Sequence, residues 1–132
     1  MKTVFVNGCF DVIHLGHIKM LEFAKSQGDF LIVALDTDEK VKKAKGPSRP
    51  FNSLSNRKEV IESIRFVDLV LDFDSDEALI NLFNTLKPDV RVLGSDWENK
   101  EIVGQDCVKN IKYFRRLDGF STTKILENSS DR

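Results

Sequence analysis

Short apolar runs alternate with amphipathic helical stretches along this chain, and that order constrains its fold more than any other feature. The run at 30–35 is continuously apolar, which is typical of a strand buried on both faces of a parallel sheet. We predict strands at 3–6, 30–35, 69–73, 90–93 and 111–114, and helices at 16–26, 37–43, 55–64, 76–86 and 121–126. Because alternation of this kind requires right-handed crossovers, the prediction is a single Rossmann-like, doubly wound α/β domain over residues 1–132. Its parallel sheet should have about five strands, and its last few residues should fray.

Two details of this prediction concern helix ends. Thr37 and Ser55 are predicted to cap the second and third helices, since hydroxyl side chains accept hydrogen bonds from the free N–H groups of a first turn. Residues 45–52 contain Gly46, Pro47 and Pro50 and are predicted to form a loop.

Composition excludes several classes of protein. The 132 residues carry 20 Lys and Arg against 21 Asp and Glu, a net charge of -1, so bulk basicity does not indicate a nucleic-acid partner. No apolar run is long enough to cross a bilayer, and we expect a cytoplasmic protein with no membrane insertion. Cys9 and Cys107 are too few for a disulfide framework and lack metal-ligand spacing.

The segment Gly8–His17 follows the first predicted strand and contains both histidines of the chain. His14 and His17 are three residues apart at the start of a helix, so they share one face of it. Free N–H groups and the helix dipole favour an anion at this end, and imidazoles donate hydrogen bonds to phosphate oxygens. The segment therefore predicts a phosphate site. Cys9 is interpreted as a small filler beside Gly8, with a reactive thiol as the alternative.

Other polar segments should meet this site. Ligands of open α/β sheets bind at the carboxyl ends of the strands, where the sequence places 36–38, 94–97 and 121–123. Five cations on the following loop and helix suit a polyphosphate: Lys42, Lys43, Lys45, Arg49 and Arg57. For Lys42 and Lys43 a solvated helix end is an equal alternative, and residues 121–123 could form only an N-cap.

The sequence resembles a known family at this point. Gly8-Cys9-Phe10-Asp11 with His14-Leu15-Gly16-His17 is similar to the signature of the cytidylyltransferase-type nucleotidyltransferases, and Ser121-Thr122-Thr123 resembles their second signature. The resemblance extends over nearly the whole chain, to about residue 126. It implies attack by a substrate phosphate on the α-phosphorus of a nucleoside triphosphate, with release of pyrophosphate and no covalent enzyme intermediate.

The resemblance also implies roles for individual residues. His14 and His17 would stabilise the phosphates in the transition state, and Lys45 would contact the phosphates and the acceptor. Nucleotide contacts are implied for Gly8, Cys9, Phe10, Asp11, Gly16, Arg57, Gly94, Asp96, Trp97, Arg116, Ser121, Thr122 and Thr123. Acceptor contacts are predicted for Asp36, Asp38 and Arg49. Mg²⁺ is expected mainly through the substrate phosphates, while Asp11 either holds the loop or approaches the metal.

Two branches of the family compete for the substrate. Residues 45–50 and 101–104 resemble the adenylyltransferase domain of ADP-heptose synthase, which implies ATP, heptose 1-phosphate and a precursor of a cell-surface polysaccharide. Residues 64–68 and 121–125 are equally similar to glycerol-3-phosphate cytidylyltransferase, which uses CTP, although Leu117 departs from that pattern. We prefer the adenylyltransferase. A non-catalytic nucleotide-binding module is the alternative of another class, and the resemblance implies a homodimer.

Overall fold

The computed structural model describes residues 1–115, which form a five-stranded parallel sheet in the order β3-β2-β1-β4-β5. The strands are β1 Thr3–Gly8, β2 Phe30–Asp36, β3 Leu69–Phe73, β4 Val90–Gly94 and β5 Asn110–Phe114. The helices are α1 Leu15–Ser26, α2 Asp38–Lys45, α3 Leu54–Glu62 and α4 Asp76–Leu86, and Ser95–Trp97 form one 3₁₀ turn. The predicted Rossmann-like α/β fold is therefore confirmed.

The strand order places a topological switch point beside β1. From β1 the chain first builds outward through β2 to β3, and then returns to add β4 and β5 on the other side. Val4 of β1 pairs with Leu31 of β2 and with Val90 of β4, so the three central strands are in parallel register. Connections diverge at this point, which leaves a crevice above the carboxyl ends of β1 and β4.

Alternating residues of β1 divide the core between the two faces of the sheet. Val4 and Val6 point to one face and pack with Leu21 of α1 and Ile61 of α3, whereas Phe5 points to the other face and packs with helix α4. All of these side chains are at most 1% exposed. Each contributes about 1.5–3 kcal/mol of burial free energy, so the central strands are firmly held and can position the loops at their ends.

The helix ends differ from the prediction in detail. Ser53, not Ser55, caps α3, because its hydroxyl accepts a hydrogen bond from the N–H of Asn56. Thr37 is the N-cap residue of α2, but its side chain makes no capping bond, and its buried hydroxyl has no hydrogen-bond partner among residues 1–115. Lys45 ends α2 and does not belong to the following loop.

Two further predictions concern long or C-terminal segments. No helix within residues 1–115 is long and apolar enough to cross a membrane. The helix predicted at 121–126 lies outside the described residues.

Candidate active site

The two histidines close the first turn of α1 with reciprocal hydrogen bonds. The Nδ1 atom of His14, the N-cap residue, accepts from the N–H of Gly16 at 3.0 Å, and Nδ1 of His17 accepts from the N–H of His14 at 3.2 Å. This arrangement is a capping box built from imidazoles, and the two ring centroids are 3.9 Å apart. Since Nδ1 accepts in both rings, each neutral imidazole carries its hydrogen on Nε2. The caps thus fix the tautomer that presents Nε2–H as a donor.

The turn before the helix requires its glycine. Phe10 has a φ of 50°, in the left-handed region, and its ring is 5% exposed. A Cβ atom on Gly8 would lie 3.0 Å from that ring, so a larger residue there would displace it. The Phe10 ring centroid is 5.2 Å from that of His17. Phe10 therefore supports His17 from the core, and the backbone of Gly8 stays open to the crevice.

The carboxylate of Asp11 binds the segment that precedes α3. It is 3% exposed and accepts hydrogen bonds from the N–H of Phe51 and of Asn52, both at 2.7 Å, and from Nε of Arg49 at 3.1 Å. Burial alone would raise the pKa of Asp11, but the donors at Phe51, Asn52 and Arg49 outweigh it and hold the pKa below its ordinary value. The geometry favours the loop-holding role predicted for Asp11 over a metal contact.

Arg57 occupies a buried position behind the same turn. Its guanidinium is 1% exposed and donates to the carbonyls of Cys9 at 3.0 Å, Asp36 at 2.7 Å and Asn52 at 3.0 Å, and to the Asp38 carboxylate at 2.7 Å. These bonds join the carboxyl ends of β1 and β2 to the start of α3. Arg57 consequently holds the crevice in shape from behind.

The β2 and β3 side of the crevice carries a mixed charged group. Nζ of Lys40 lies 3.8 Å from the carboxylate of Asp36 and 3.3 Å from that of Asp76, and Lys45 lines the crevice beside them. Burial raises the pKa of Asp36, and the neighbouring cations Lys40, Lys45 and Arg57 partly oppose that shift. Burial likewise raises the pKa of the Cys9 thiol, so the neutral thiol is favoured and the filler interpretation gains over the reactive thiol.

The opposite side of the crevice is formed after β4. A Cβ atom on Gly94 would lie 2.8 Å from the Asp96 carboxylate, so the Asp96 side chain lies directly over this glycine at the turn into the 3₁₀ helix. The Trp97 side chain is 48% exposed and lines the crevice together with Ile102 and Val103. The whole crevice has a volume of about 710 Å³, which is large enough for a nucleotide and a small second substrate.

Comparison with known proteins identifies the family of this site. The cytidylyltransferase-like family model matches residues 5–128. The chain belongs to the cytidylyltransferase-like family. It is 49% identical over 131 residues to the bifunctional protein HldE of Campylobacter jejuni subsp. doylei, and 46% identical over 130 residues to that of Campylobacter concisus. These matches cover 99% and 98% of this chain but only 28% and 27% of the relatives, so the chain spans little more than a quarter of their length.

Solved structures with lower identity share the fold of this chain. A lipopolysaccharide core biosynthesis protein from Thermoplasma volcanium superposes with a TM-score of 0.70 at 24% identity, covering 89% of this chain and 97% of that one. A pantoate-beta-alanine ligase from Francisella tularensis, crystallised with β,γ-ATP and β-alanine, superposes with a TM-score of 0.64 at 17% identity, covering 96% of this chain and 65% of that one. These likenesses establish the fold alone.

The structure brings most of the predicted family residues to one crevice. Its lining includes Gly8, Cys9, Phe10, Asp11, His14, Gly16, His17, Asp36, Lys45, Gly94, Asp96 and Trp97. Arg116, Ser121, Thr122 and Thr123 lie outside the described residues. Because the lining residues come from the ends of β1, β2 and β4 and from two helices, the fold itself gathers these separate sequence segments.

Three residues with predicted ligand contacts are bonded to other parts of the protein. Arg57 is buried and bonded to protein acceptors instead of facing a triphosphate. Asp38 is also occupied, because its Oδ1 accepts from Arg57 and from the N–H of Leu54. Arg49 is bound to Asp11. None of the three lines the crevice, and each is bonded within the protein, so in the structure they join the loops behind it. Their direct contact with a ligand stays a prediction.

Asn7 and Arg91 are among the crevice residues that sequence reasoning missed. Arg91 is 2% exposed in the middle of β4, and its Nη2 donates to Oδ1 of Asn7 at 3.0 Å. A charged residue inside the otherwise apolar run 90–93 was the available signal, since a buried cation requires specific partners.

Replacing Asp11 with asparagine is expected to lower the free energy of unfolding by about 2 kcal/mol at pH 7, because an amide cannot accept all three hydrogen bonds. The pKa of Asp11 is depressed in the folded protein, so its contribution is present above the ordinary aspartate value of 3.8 and is lost as the pH falls through the folded value. Urea titrations of both proteins at several pH values should show the difference narrowing below pH 3.8. A difference that stays constant would contradict this role of the carboxylate.

Proposed function

We propose that this chain is a nucleotidyltransferase that transfers AMP from ATP to the phosphate of heptose 1-phosphate and releases pyrophosphate. The observation that carries the proposal is the pair of histidines whose Nδ1 atoms are used for capping, so that both Nε2–H groups are donors at a helix N-terminus. A phosphate oxygen of the acceptor attacks the α-phosphorus, and the bond from the α-phosphorus to the bridging oxygen of pyrophosphate breaks.

Each part of the crevice has a task in this reaction. Negative charge builds up on the α-phosphate and on the departing pyrophosphate. The Nε2–H donors of His14 and His17, together with the positive end of the α1 dipole, are placed to stabilise it. Lys45, at the end of α2, supplies a cation for the acceptor phosphate. Because these groups are held before the substrates bind, little reorganisation is needed during transfer.

The second substrate fits the β2 and β3 side of the crevice. Asp36, Lys40 and Asp76 place two carboxylates around one ammonium group, and this acceptor-rich, net negative group suits the hydroxyl groups of a sugar better than a further phosphate. Asp36 was predicted to contact the acceptor, and its position on the crevice supports that role. The heptose is favoured because the chain is 49% identical to a protein named HldE and because residues 45–50 and 101–104 resemble the heptose branch.

The remaining components of the reaction are part of the same proposal. Mg²⁺ accompanies the triphosphate mainly through its phosphate oxygens, as is usual for this ion at phosphate sites. The Asp11 carboxylate is already hydrogen-bonded to Phe51 and Asn52, which favours this arrangement over a contact with Asp11. We place the enzyme in the cytoplasm, where nucleoside triphosphates are abundant, and expect it to act as a homodimer.

A matrix of nucleotides and acceptors tests the proposal. ATP and CTP are each combined with heptose 1-phosphate, glycerol 3-phosphate and a phosphate-free heptose, and pyrophosphate release is measured. We expect the highest kcat/KM for ATP with heptose 1-phosphate, and no release with the phosphate-free sugar because the attacking oxygen is missing. Pyrophosphate release only with CTP and glycerol 3-phosphate would show that the acceptor is a polyol phosphate and not heptose 1-phosphate. Nucleotide binding without release in any combination would indicate a binding module.

A further inference from the structure

Arg91 lies where a charged residue is costly. It is in the middle of β4, in register with Phe5 of β1 and Ile111 of β5, and only 2% of it is exposed. Burial lowers the pKa of its guanidinium to about 10, which still leaves it charged at neutral pH. A buried cation persists only if specific partners compensate for the lost water, so its partners indicate its role.

The partners of Arg91 are uncharged and come from three separate segments. Nη1 donates to the carbonyl of Val103 at 2.6 Å, Nη2 donates to Oδ1 of Asn7 at 3.0 Å, and the guanidinium lies 4.7 Å from the centroid of the Phe83 ring. None of the ion pairs formed within residues 1–115 includes Arg91. Its Nε is buried and has no hydrogen-bond partner in the same part of the chain. A carboxylate partner would neutralise the charge of Arg91, but its actual partners are uncharged. The bonds to Val103 and Asn7 therefore serve to hold these segments together.

The bond to Val103 fixes the segment between the 3₁₀ turn and β5. Gly104 has a φ of 73°, and a Cβ atom there would lie 2.7 Å from the Phe83 ring. The backbone of Val103–Gly104 is therefore pressed onto Phe83 and tied to the sheet by Arg91. The neighbouring turn bonds, Gln105 N–H to Ile102 C=O at 3.2 Å and Cys107 N–H to Gly104 C=O at 2.9 Å, complete a compact loop.

This loop faces the crevice on the Trp97 side. Ile102 and Val103 line it there, opposite the charged group around Asp36. The carbonyls of Ile102, Val103 and Gly104 already accept hydrogen bonds, so this main chain has its N–H groups to offer to a flat ring. It discriminates between bases only if its position in the crevice is fixed. A purine and a pyrimidine present their hydrogen-bonding edges at different distances from the ribose.

We propose that Arg91 is a positioning residue that fixes how far the main chain of Ile102–Gly104 extends into the crevice. The space left for the base then sets the preference between ATP and CTP. This inference rests on the proposed nucleotidyl transfer. Lysine at position 91 would keep the charge but could not hold Val103 and Asn7 with the same fork of donors. Methionine would keep much of the volume and remove both bonds.

The test compares wild type with Arg91→Met, Arg91→Lys and Arg65→Met. Arg65 is an exposed arginine whose guanidinium lies 4.8 Å from the Phe66 ring centroid, so its variant makes the same chemical change outside the crevice. We expect Arg91→Met to reduce the ratio of kcat/KM for ATP to that for CTP by at least about tenfold, mainly through KM, and Arg91→Lys to restore part of it. Arg65→Met should leave the ratio unchanged.

An unchanged ratio in a folded Arg91 variant would overturn the inference, as would a wild type that does not discriminate between the two nucleotides. If Arg91→Met does not fold, the Arg91→Lys variant decides by the same ratio. Calorimetric binding of non-hydrolysable ATP and CTP analogues gives the ratio without turnover. A protein that binds these analogues selectively but releases no pyrophosphate would refute the proposed function. The ratio of the two affinities in wild type and in the Arg91 variants would then still decide the role of Arg91.

Discussion

Replacing His17 with asparagine is expected to lower kcat by about a hundredfold to a thousandfold, which is the usual effect of removing one donor from a developing negative charge. The Oδ1 atom of asparagine takes the place of Nδ1, which accepts from the N–H of His14, so the cap of α1 is preserved. The Nε2–H donor is lost. Nucleotide affinity should fall much less than kcat, because the loss acts mainly on the transition state.

The glutamine variant at position 17 is the matched control. Its side-chain nitrogen reaches the position of Nε2, but it has no acceptor at the position of Nδ1, so it keeps the donor and loses the cap. We expect His17→Gln to be less stable than His17→Asn by about 1 kcal/mol, yet to retain more turnover. Pyrophosphate assays and urea denaturation measure the two properties. The opposite order of turnover would show that the histidine acts through the helix cap and not through its donor.

Replacing Arg57 with methionine is expected to lower the free energy of unfolding by about 3 kcal/mol, one of the largest effects in this fold. The substitution leaves buried carbonyls of Cys9, Asp36 and Asn52 without their donor and separates the Asp38 carboxylate from its partner. Urea denaturation of wild type and variant gives the difference. Because the carboxyl ends of β1 and β2 both lose a contact, the crevice should also bind its substrates less tightly.

Lys58 provides a matched control on the same helix. Its Nζ lies 3.0 Å from the Asp72 carboxylate, but both side chains are about one-third or more exposed, so Lys58→Met should cost less than about 1 kcal/mol. An Arg57 variant as stable as wild type but with a raised KM for ATP would contradict the structural role. That outcome would support the direct triphosphate contact implied by the family resemblance.

The sheet and the position of the crevice were predictable because they follow from periodicity. Strand and helix spacing led to the parallel sheet, and the rule for carboxyl ends placed Gly8, His14 and Gly94 together. Helix caps were less predictable. Ser53 and Ser55 are two residues apart with identical side chains, and only the backbone geometry decides which of them accepts from Asn56.

The partners of buried charges were not predictable from the sequence. Arg57, Arg49 and Asp38 have the side chains that bind phosphates and sugars, and the same chemistry lets them bind each other and the backbone. A local pattern does not distinguish these uses, because the partners are up to 48 residues away along the chain. The partner of Arg91 was equally unpredictable, since Asn7 is 84 residues away along the chain.

Oxygen-18 labelling of the acceptor phosphate tests the central claim most directly. Labelled heptose 1-phosphate is incubated with ATP, Mg²⁺ and the enzyme, and the products are analysed by mass spectrometry. Attack by the acceptor on the α-phosphorus predicts that the sugar nucleotide keeps all of the label, that its bridging oxygen comes from the acceptor, and that pyrophosphate is unlabelled. The claim of transfer to the acceptor would be contradicted if the label were recovered only in unchanged heptose 1-phosphate. In that case ATP would be merely bound or hydrolysed to AMP.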